Sequence, residues 1–177
     1  MGAGNVAVLI GDDGAPMATA LARPRFAALR DDPGAADPHA VPVADRAALW
    51  AWYAERLVEH LEPVVAALAP VARRGPRALW ASVEDVCSGY LHWLGEALRR
   101  RSSARADADR LLGVRPPLSG RAVFVEVPHP DGARTLVRRN GCCLSYARED
   151  PDAVACITCP RVSAAERARR IGEIASG

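Results

Sequence analysis

"RAVFVEVPHPDGARTLVRRNGCC", residues 121–143, is where the periodicity of this chain changes. Up to this point apolar residues recur at helical spacing. Here "RAVFVEV" and "ARTLVRR" read as two strands around "PHPDG", with Asp131-Gly132 near the tip of a hairpin. The second strand runs straight into Gly141-Cys142-Cys143. The pattern predicts an α+β fold: a helical body, a small antiparallel sheet or hairpin, and a C-terminal cysteine-rich loop.

Working outward, Asp45 is placed to cap a helix beginning at Arg46, on which Leu49, Trp52, Tyr53, Leu57 and Leu61 share one face. Pro63 is expected to end or kink that helix and to open the next, "PVVAALAPVARR". A longer helix is predicted over residues 77–101, with Leu79, Val83, Val86, Tyr90, Trp93, Leu94 and Leu98 as its buried stripe. "SSARADADRLLGV" reads as a short helix with a serine cap. At the other end, Ser163 and Glu166 stand in capping-box spacing at the start of a polar helix, "SAAERARRIGEIA". Before the helices, "NVAVLI" and "APMATALAR" read as short strands about "GDDG", and "LRDDPGAADPHAVPVAD" as an exposed loop. One domain over residues 1–177 accommodates all of this, helix-rich over about 44–114 and hairpin plus cysteine segment over about 120–177.

Charge divides the chain. All 23 basic residues are arginine; residues 1–96 carry 8 of them against 12 Asp and Glu, while residues 97–177 carry 15 against 9. The cysteine half is therefore the basic half, suited to an anionic small molecule or an acidic protein. The arginines are scattered and lack an accompanying aromatic motif, which argues against nucleic acid. The start of the chain has no basic n-region, and no stretch reaches the ~18 apolar residues of a membrane span. The expected location is the cytoplasm, free or peripheral to the inner face of the membrane, where stable disulfides are uncommon.

Four of the five cysteines fall within residues 142–159: Cys142 and Cys143 as neighbours, then Cys156 and Cys159 twelve residues on, closed by Pro160. Disulfides are disfavoured by compartment, and a bond between adjacent cysteines closes a strained eight-membered ring. A thioredoxin-type "CITC" normally opens a helix after a strand, whereas this one closes a loop. Thiolates select zinc or iron–sulfur clusters. Adjacent cysteines on an extended chain project to opposite sides, awkward for one tetrahedral ion and easier for a two-iron cluster. Spacing favours [2Fe–2S] and leaves zinc open. The remaining Cys87 reads as a small buried apolar residue, and His60 and His92 as structural. No glycine-rich dinucleotide fingerprint follows a strand, so no nicotinamide or flavin cofactor of its own is expected.

The stretch "RRNGCCLSYAREDPDAVACITCP" resembles the C-terminal signature of the FhuF-like ferric-siderophore reductases, with its paired cysteines, the following Leu and aromatic, and a Cys-x2-Cys ending in Pro. The preceding strand "RAVFVEV" is similar to that family too. The resemblance implies a [2Fe–2S] cluster held by Cys142, Cys143, Cys156 and Cys159 as the redox centre, with zinc as the alternative occupant. It implies one-electron reduction of Fe(III) in a ferric siderophore, with electrons from a ferredoxin or flavin reductase. Arg138, Arg139 and Arg148 are the candidates to attract the chelate or donor, and Tyr146 to shield the cluster or pack the loop.

Overall fold

Asp45 starts the first helix as its position predicts. Its backbone is extended and its carboxylate accepts the Ala48 amide at 2.8 Å, satisfying one of the unpaired donors of the first turn. In this computed structural model residues 6–13, 15–21, 24–72, 74–119, 122–128, 132–144 and 154–176 are described. The chain forms two compact units, residues 1–73 and residues 74–177. Among the described residues there are four α-helices and three two-stranded sheets, an α+β fold.

In the first unit, strands β1 (Val6–Ile10) and β2 (Pro16–Leu21) pair antiparallel with Val6 opposite Leu21 and an irregularity at Leu9–Ile10. The predicted exposed loop proves more ordered. Strand β3 (Phe26–Leu29) pairs in parallel with β4 (Ala40–Val43), Phe26 opposite Ala40 and Leu29 opposite Val43. A 3-10 turn at Pro33–Ala36, capped by Asp32 accepting the Gly34 amide at 2.7 Å, lies in the connection. The density of Pro, Asp and Gly belongs to this turn and hides the four-residue strand β4, whose order comes from pairing with β3 at the loop's start.

Helix α1 (Arg46–Leu68) packs on β3 and β4 and continues through Pro63, which neither ends it nor starts a new helix. Pro63 faces solvent, where a missing amide donor costs least. The buried positions are Ala54, Val58 and Val65, while Tyr53 is exposed and Leu49, Trp52, Leu57 and Leu61 are half-buried. Small and β-branched residues thus make up the buried positions of α1, and the larger apolar ones stay half-buried or exposed.

In the second unit, helix α2 (Pro76–Ala97) begins with proline at its first position, after Gly75. Helix α3 (Arg101–Gly113) folds back on it through a turn where Arg99 takes φ 55°. The two helices approach so closely at Gly95 that a Cβ there would lie 2.3 Å from that of Ala104. The predicted serine cap of α3 is corrected: Arg100 occupies the cap position without a side-chain bond, and Ser103 lies inside the first turn, donating to the Arg100 carbonyl at 2.9 Å. Strands β5 (Val123–Val127) and β6 (Arg134–Arg138) form the predicted hairpin, with Val123 opposite Arg138 and Val127 opposite Arg134. Gly132 takes φ 109° beside its tip; Asp131 lies outside the described residues. Helix α4 (Ala164–Ser176) is capped as expected, with the Glu166 amide donating to Ser163 Oγ at 3.1 Å. The core draws on α2, α3, β5, α4 and the cysteine loop: Trp80, Ala108, Leu111, Leu112, Leu118, Val127, Cys159, Val162 and Ile171.

The stripe predicted for α2 is also corrected. Its buried face is Trp80, Glu84, Ser88 and Gly95, whereas Val86, Tyr90, Trp93, Leu94 and Leu98 are exposed. A pattern of apolar residues gives no weight to a glutamate with dedicated partners or to a glycine that admits a neighbouring helix. Those two features decide which side of α2 turns inward.

Candidate metal centre

Two adjacent carboxylates on α2 hold the two feet of the β5–β6 hairpin. Glu84, only 3% exposed, accepts both the Ser119 amide and the Ser119 hydroxyl (3.0 Å), just before β5. Asp85 accepts the amides of Asn140 at 2.7 Å and Gly141 at 2.9 Å, just after β6. Burial pushes the Asp85 carboxyl above its ordinary range, against the downward pull of those two amides and of the Arg139 guanidinium. Gly141 lies on the surface of α2: a Cβ there would stand 3.3 Å from Asp85 Oδ2 and 3.4 Å from Ala81 Cβ. Its role is close approach to a helix, a tighter constraint than the loop flexibility a glycine before two cysteines implies. Cys142 and Cys143 follow immediately, the first half-buried and the second exposed, and the chain then turns at Leu144 with φ 58°.

The second cysteine pair is held from another side. The Cys159 amide donates to the Cys156 carbonyl at 2.9 Å, closing a turn around Ile157-Thr158, and the Val162 amide donates to the Cys159 carbonyl at 3.2 Å. Arg167 of α4 is 3% exposed and points into this loop. Its Nε donates to the Ile157 carbonyl at 2.8 Å, and its Nη2 to the carbonyls of Cys159 at 3.0 Å and Val162 at 2.9 Å. Arg170 adds a bond from Nη1 to the Ala155 carbonyl at 2.7 Å. Cys156 Sγ lies 3.6 Å from the Thr158 hydroxyl, and Cys159 is 2% exposed.

The two segments meet where the Arg139 amide donates to the Thr158 carbonyl at 2.8 Å. This one backbone bond continues β6 against the Cys-x2-Cys turn. It joins the two cysteine pairs, whose intervening residues 145–153 lie outside those described. None of the five cysteines is in a disulfide. Among the described residues no three Cys, His, Asp or Glu side chains converge closely enough to hold an ion. The donor chemistry nevertheless fits a thiolate-ligated cluster: four unbridged thiols on two abutting segments, with Nε of Arg138, four residues before Cys142, buried and without a hydrogen-bond partner among the described residues. A buried cationic donor of that kind is suited to a neighbouring anion.

Of the predicted partner-contacting residues, Arg138 is half-buried and Arg139 exposed, while Tyr146 and Arg148 lie outside the described residues. Cys87 is half-buried on α2; burial, with a smaller push from Glu84, raises its thiol to about 11. His92 sits edge-on to Phe124 with ring centroids 6.1 Å apart, which fits a structural role. It also lines a recess of about 370 Å³ with Glu96, Arg101, Leu136, Ile157 and Ile171, so the residue between the last two cysteines forms part of its wall.

Sequence reasoning missed Glu84, Asp85, Arg167 and Arg170. The first two precede their partners by 35 to 56 residues, and the arginines sit among others on a polar helix. No local signal marks either pair. Among the described residues no helix is long and apolar enough to cross a membrane. No family model, curated protein or solved structure matches this chain.

Proposed function

We propose that Cys142, Cys143, Cys156 and Cys159 hold a [2Fe–2S] cluster and that the protein is a ferric-siderophore reductase. The observation that carries this reading is the joining of the two unbridged cysteine pairs by the Arg139 amide and the Thr158 carbonyl. The resemblance of residues 121–160 to the FhuF-like reductases supplies the substrate class. When bound, such a cluster supplies one-electron chemistry. A separate ferredoxin or flavin reductase is the electron source, and chelated Fe(III) is the acceptor. Each electron converts one Fe(III) to Fe(II), which hydroxamate oxygens hold less tightly.

The chain's own residues supply position and field. Asp85 fixes the backbone entering Cys142–Cys143, and the Cys156–Cys159 turn is closed by its own amide bond. Arg138 and Arg139 favour an anionic chelate or acidic donor beside the thiols, and Arg148, outside the described residues, is a further basic residue of the same stretch by sequence. The recess walled by Ile157 offers the acceptor an approach to the cysteine turn.

Purification without oxygen followed by a visible spectrum tests the reading. A red-brown protein with two irons and bleaching by dithionite is expected; a colourless protein with one zinc per chain would instead establish a zinc-stabilised binding module. Mixing the dithionite-reduced protein with a ferric hydroxamate should reoxidise it faster than a plant-type ferredoxin is reoxidised. Equal rates would leave an electron-transfer protein for another redox enzyme and remove the reductase assignment.

A further inference from the structure

Arg167 is the least expected of the buried groups: a full positive charge at 3% exposure, without an acidic partner in any of its hydrogen bonds described here. Burying a guanidinium is costly unless its donors are satisfied. Here Nε and Nη2 are spent on the carbonyls of Ile157, Cys159 and Val162, all in the loop that carries the second cysteine pair. The neighbouring Arg170 takes Ala155, one residue before Cys156. The third arginine of α4 behaves differently. Arg169 bonds Glu166 and Glu173 on the surface, the ordinary arrangement for an exposed helix.

We propose that Arg167 is the positioning residue of the Cys156–Cys159 turn, holding its two thiols ready for a metal group before that group arrives. The inference rests on the metal-centre reading above for what the thiols hold. The physical argument is preorganisation. The carbonyl and amide of a peptide unit point in opposite directions, so fixing the Ile157 carbonyl on Arg167 turns the Thr158 amide away from α4. Fixing Cys159 and Val162 closes the far side of the loop. Pro160 contributes no amide donor, so the peptide after Cys159 is held by its carbonyl, which takes both Arg167 and the Val162 amide. A loop so anchored loses less conformational freedom when its thiols are ligated. Lysine can keep the charge and one or two of the bonds but cannot spread donors across three carbonyls in one plane.

The test compares the wild type with Arg167→Lys, Arg167→Met and, as a peripheral control, Arg169→Gln, in the full-length chain. Amide exchange in the metal-free protein reads the loop directly. Arg167→Met should lower protection of the Cys159 and Val162 amides by about tenfold or more, as loss of a charged hydrogen bond implies. Arg167→Lys should restore part of it, and Arg169→Gln should leave it unchanged. After anaerobic reconstitution with iron and sulfide, release of iron to a chelator should be fastest in Arg167→Met and intermediate in Arg167→Lys. The visible circular dichroism of the loaded protein should change in the same order. Unchanged exchange, iron release and spectrum in a folded Arg167→Met chain would overturn the proposal, as would Arg167→Lys and Arg167→Met behaving alike. Should the wild type load no iron, the cluster reading fails on its own, and the exchange experiment still decides whether Arg167 sets the turn.

Discussion

Replacing Asp85 tests whether the entry to the first cysteine pair is held from α2. The Asp85 carboxylate takes two backbone amides, Asn140 at 2.7 Å and Gly141 at 2.9 Å. Asp85→Ala strips the acceptor from both in a place where Gly141 is buried. Hydrogen bonds to a charged group are worth roughly 1.5–3 kcal/mol each, and an orphaned buried donor costs about 1–3 kcal/mol. Against this stands the relief of an unfavourable burial, which pushes the Asp85 carboxyl up despite its two amide donors. The net local cost is then about 2–3 kcal/mol, or about 30- to 150-fold in an opening equilibrium. Asp85→Asn keeps one acceptor and sheds the charge, so about tenfold is expected. Hydrogen exchange resolved to the segment 139–144 measures both, with the β5 segment 123–127 as internal reference. A second arm uses Gly141→Ala, whose Cβ would crowd Asp85 Oδ2 at 3.3 Å. In the Asp85→Ala background that contact is gone, so the two substitutions should cost less together than their sum. Protection at Asn140 and Gly141 within a factor of two of wild type in a folded Asp85→Ala chain would refute the anchor.

Three further predictions follow from single contacts. Cys87, with its thiol pushed up to about 11, should alkylate at pH 8 about 100-fold more slowly than a thiol at its ordinary 9.0, since only the thiolate reacts; mass mapping that finds it labelled as fast as exposed Cys143 in metal-free protein would contradict this. Hydrogen bonds from Arg169 and then Arg170 hold Glu166 down to about 2. A depressed carboxyl contributes stability that is present above its ordinary value of 4.5 and lost as pH falls from there through about 2. The Tm deficit of Glu166→Gln should accordingly be largest near neutral pH and shrink across that window; a deficit independent of pH would show that the ion pairs contribute nothing. Gly95→Ala places a methyl 2.3 Å from Ala104 Cβ and should cost about 1–3 kcal/mol by overpacking, with Ala104→Gly restoring part of the loss in a thermal melt.

Local signals were sufficient for several elements because the physics that forms them is local. Asp45 caps α1 through an amide three residues away, and Ser163 does the same for α4. The β5–β6 hairpin follows from two short strands around a Pro- and Gly-containing turn. Where the outcome depended on a distant partner, local reasoning failed. Strand β4 lies inside a stretch whose composition says loop, and β3 ends at its first residue; the two exist by pairing with each other across a capped 3-10 turn. Pro63 carries a breaker's chemistry, yet α1 passes through it with the ring on the solvent side. On α2 the apolar residues Tyr90 and Trp93 stack edge-on to each other at 5.9 Å between centroids on the exposed surface, while Glu84 takes the interior.

The proposed metal centre divides in the same way. Cys142, Cys143, Cys156 and Cys159 announce themselves by type and spacing, because thiols so close together have few other uses. Their setting belongs to the tertiary structure: Asp85 reaching Asn140 and Gly141, the Arg139 amide meeting Thr158, and Arg167 collecting three carbonyls of the last loop. What the sequence by itself determined was the grouping of four thiols and the alternation of helix and hairpin, both properties of near neighbours along the chain. Which charged groups would be buried to hold the cysteines was decided only in three dimensions, since a carboxylate or guanidinium goes inside only where folding brings it enough backbone partners to offset its lost hydration.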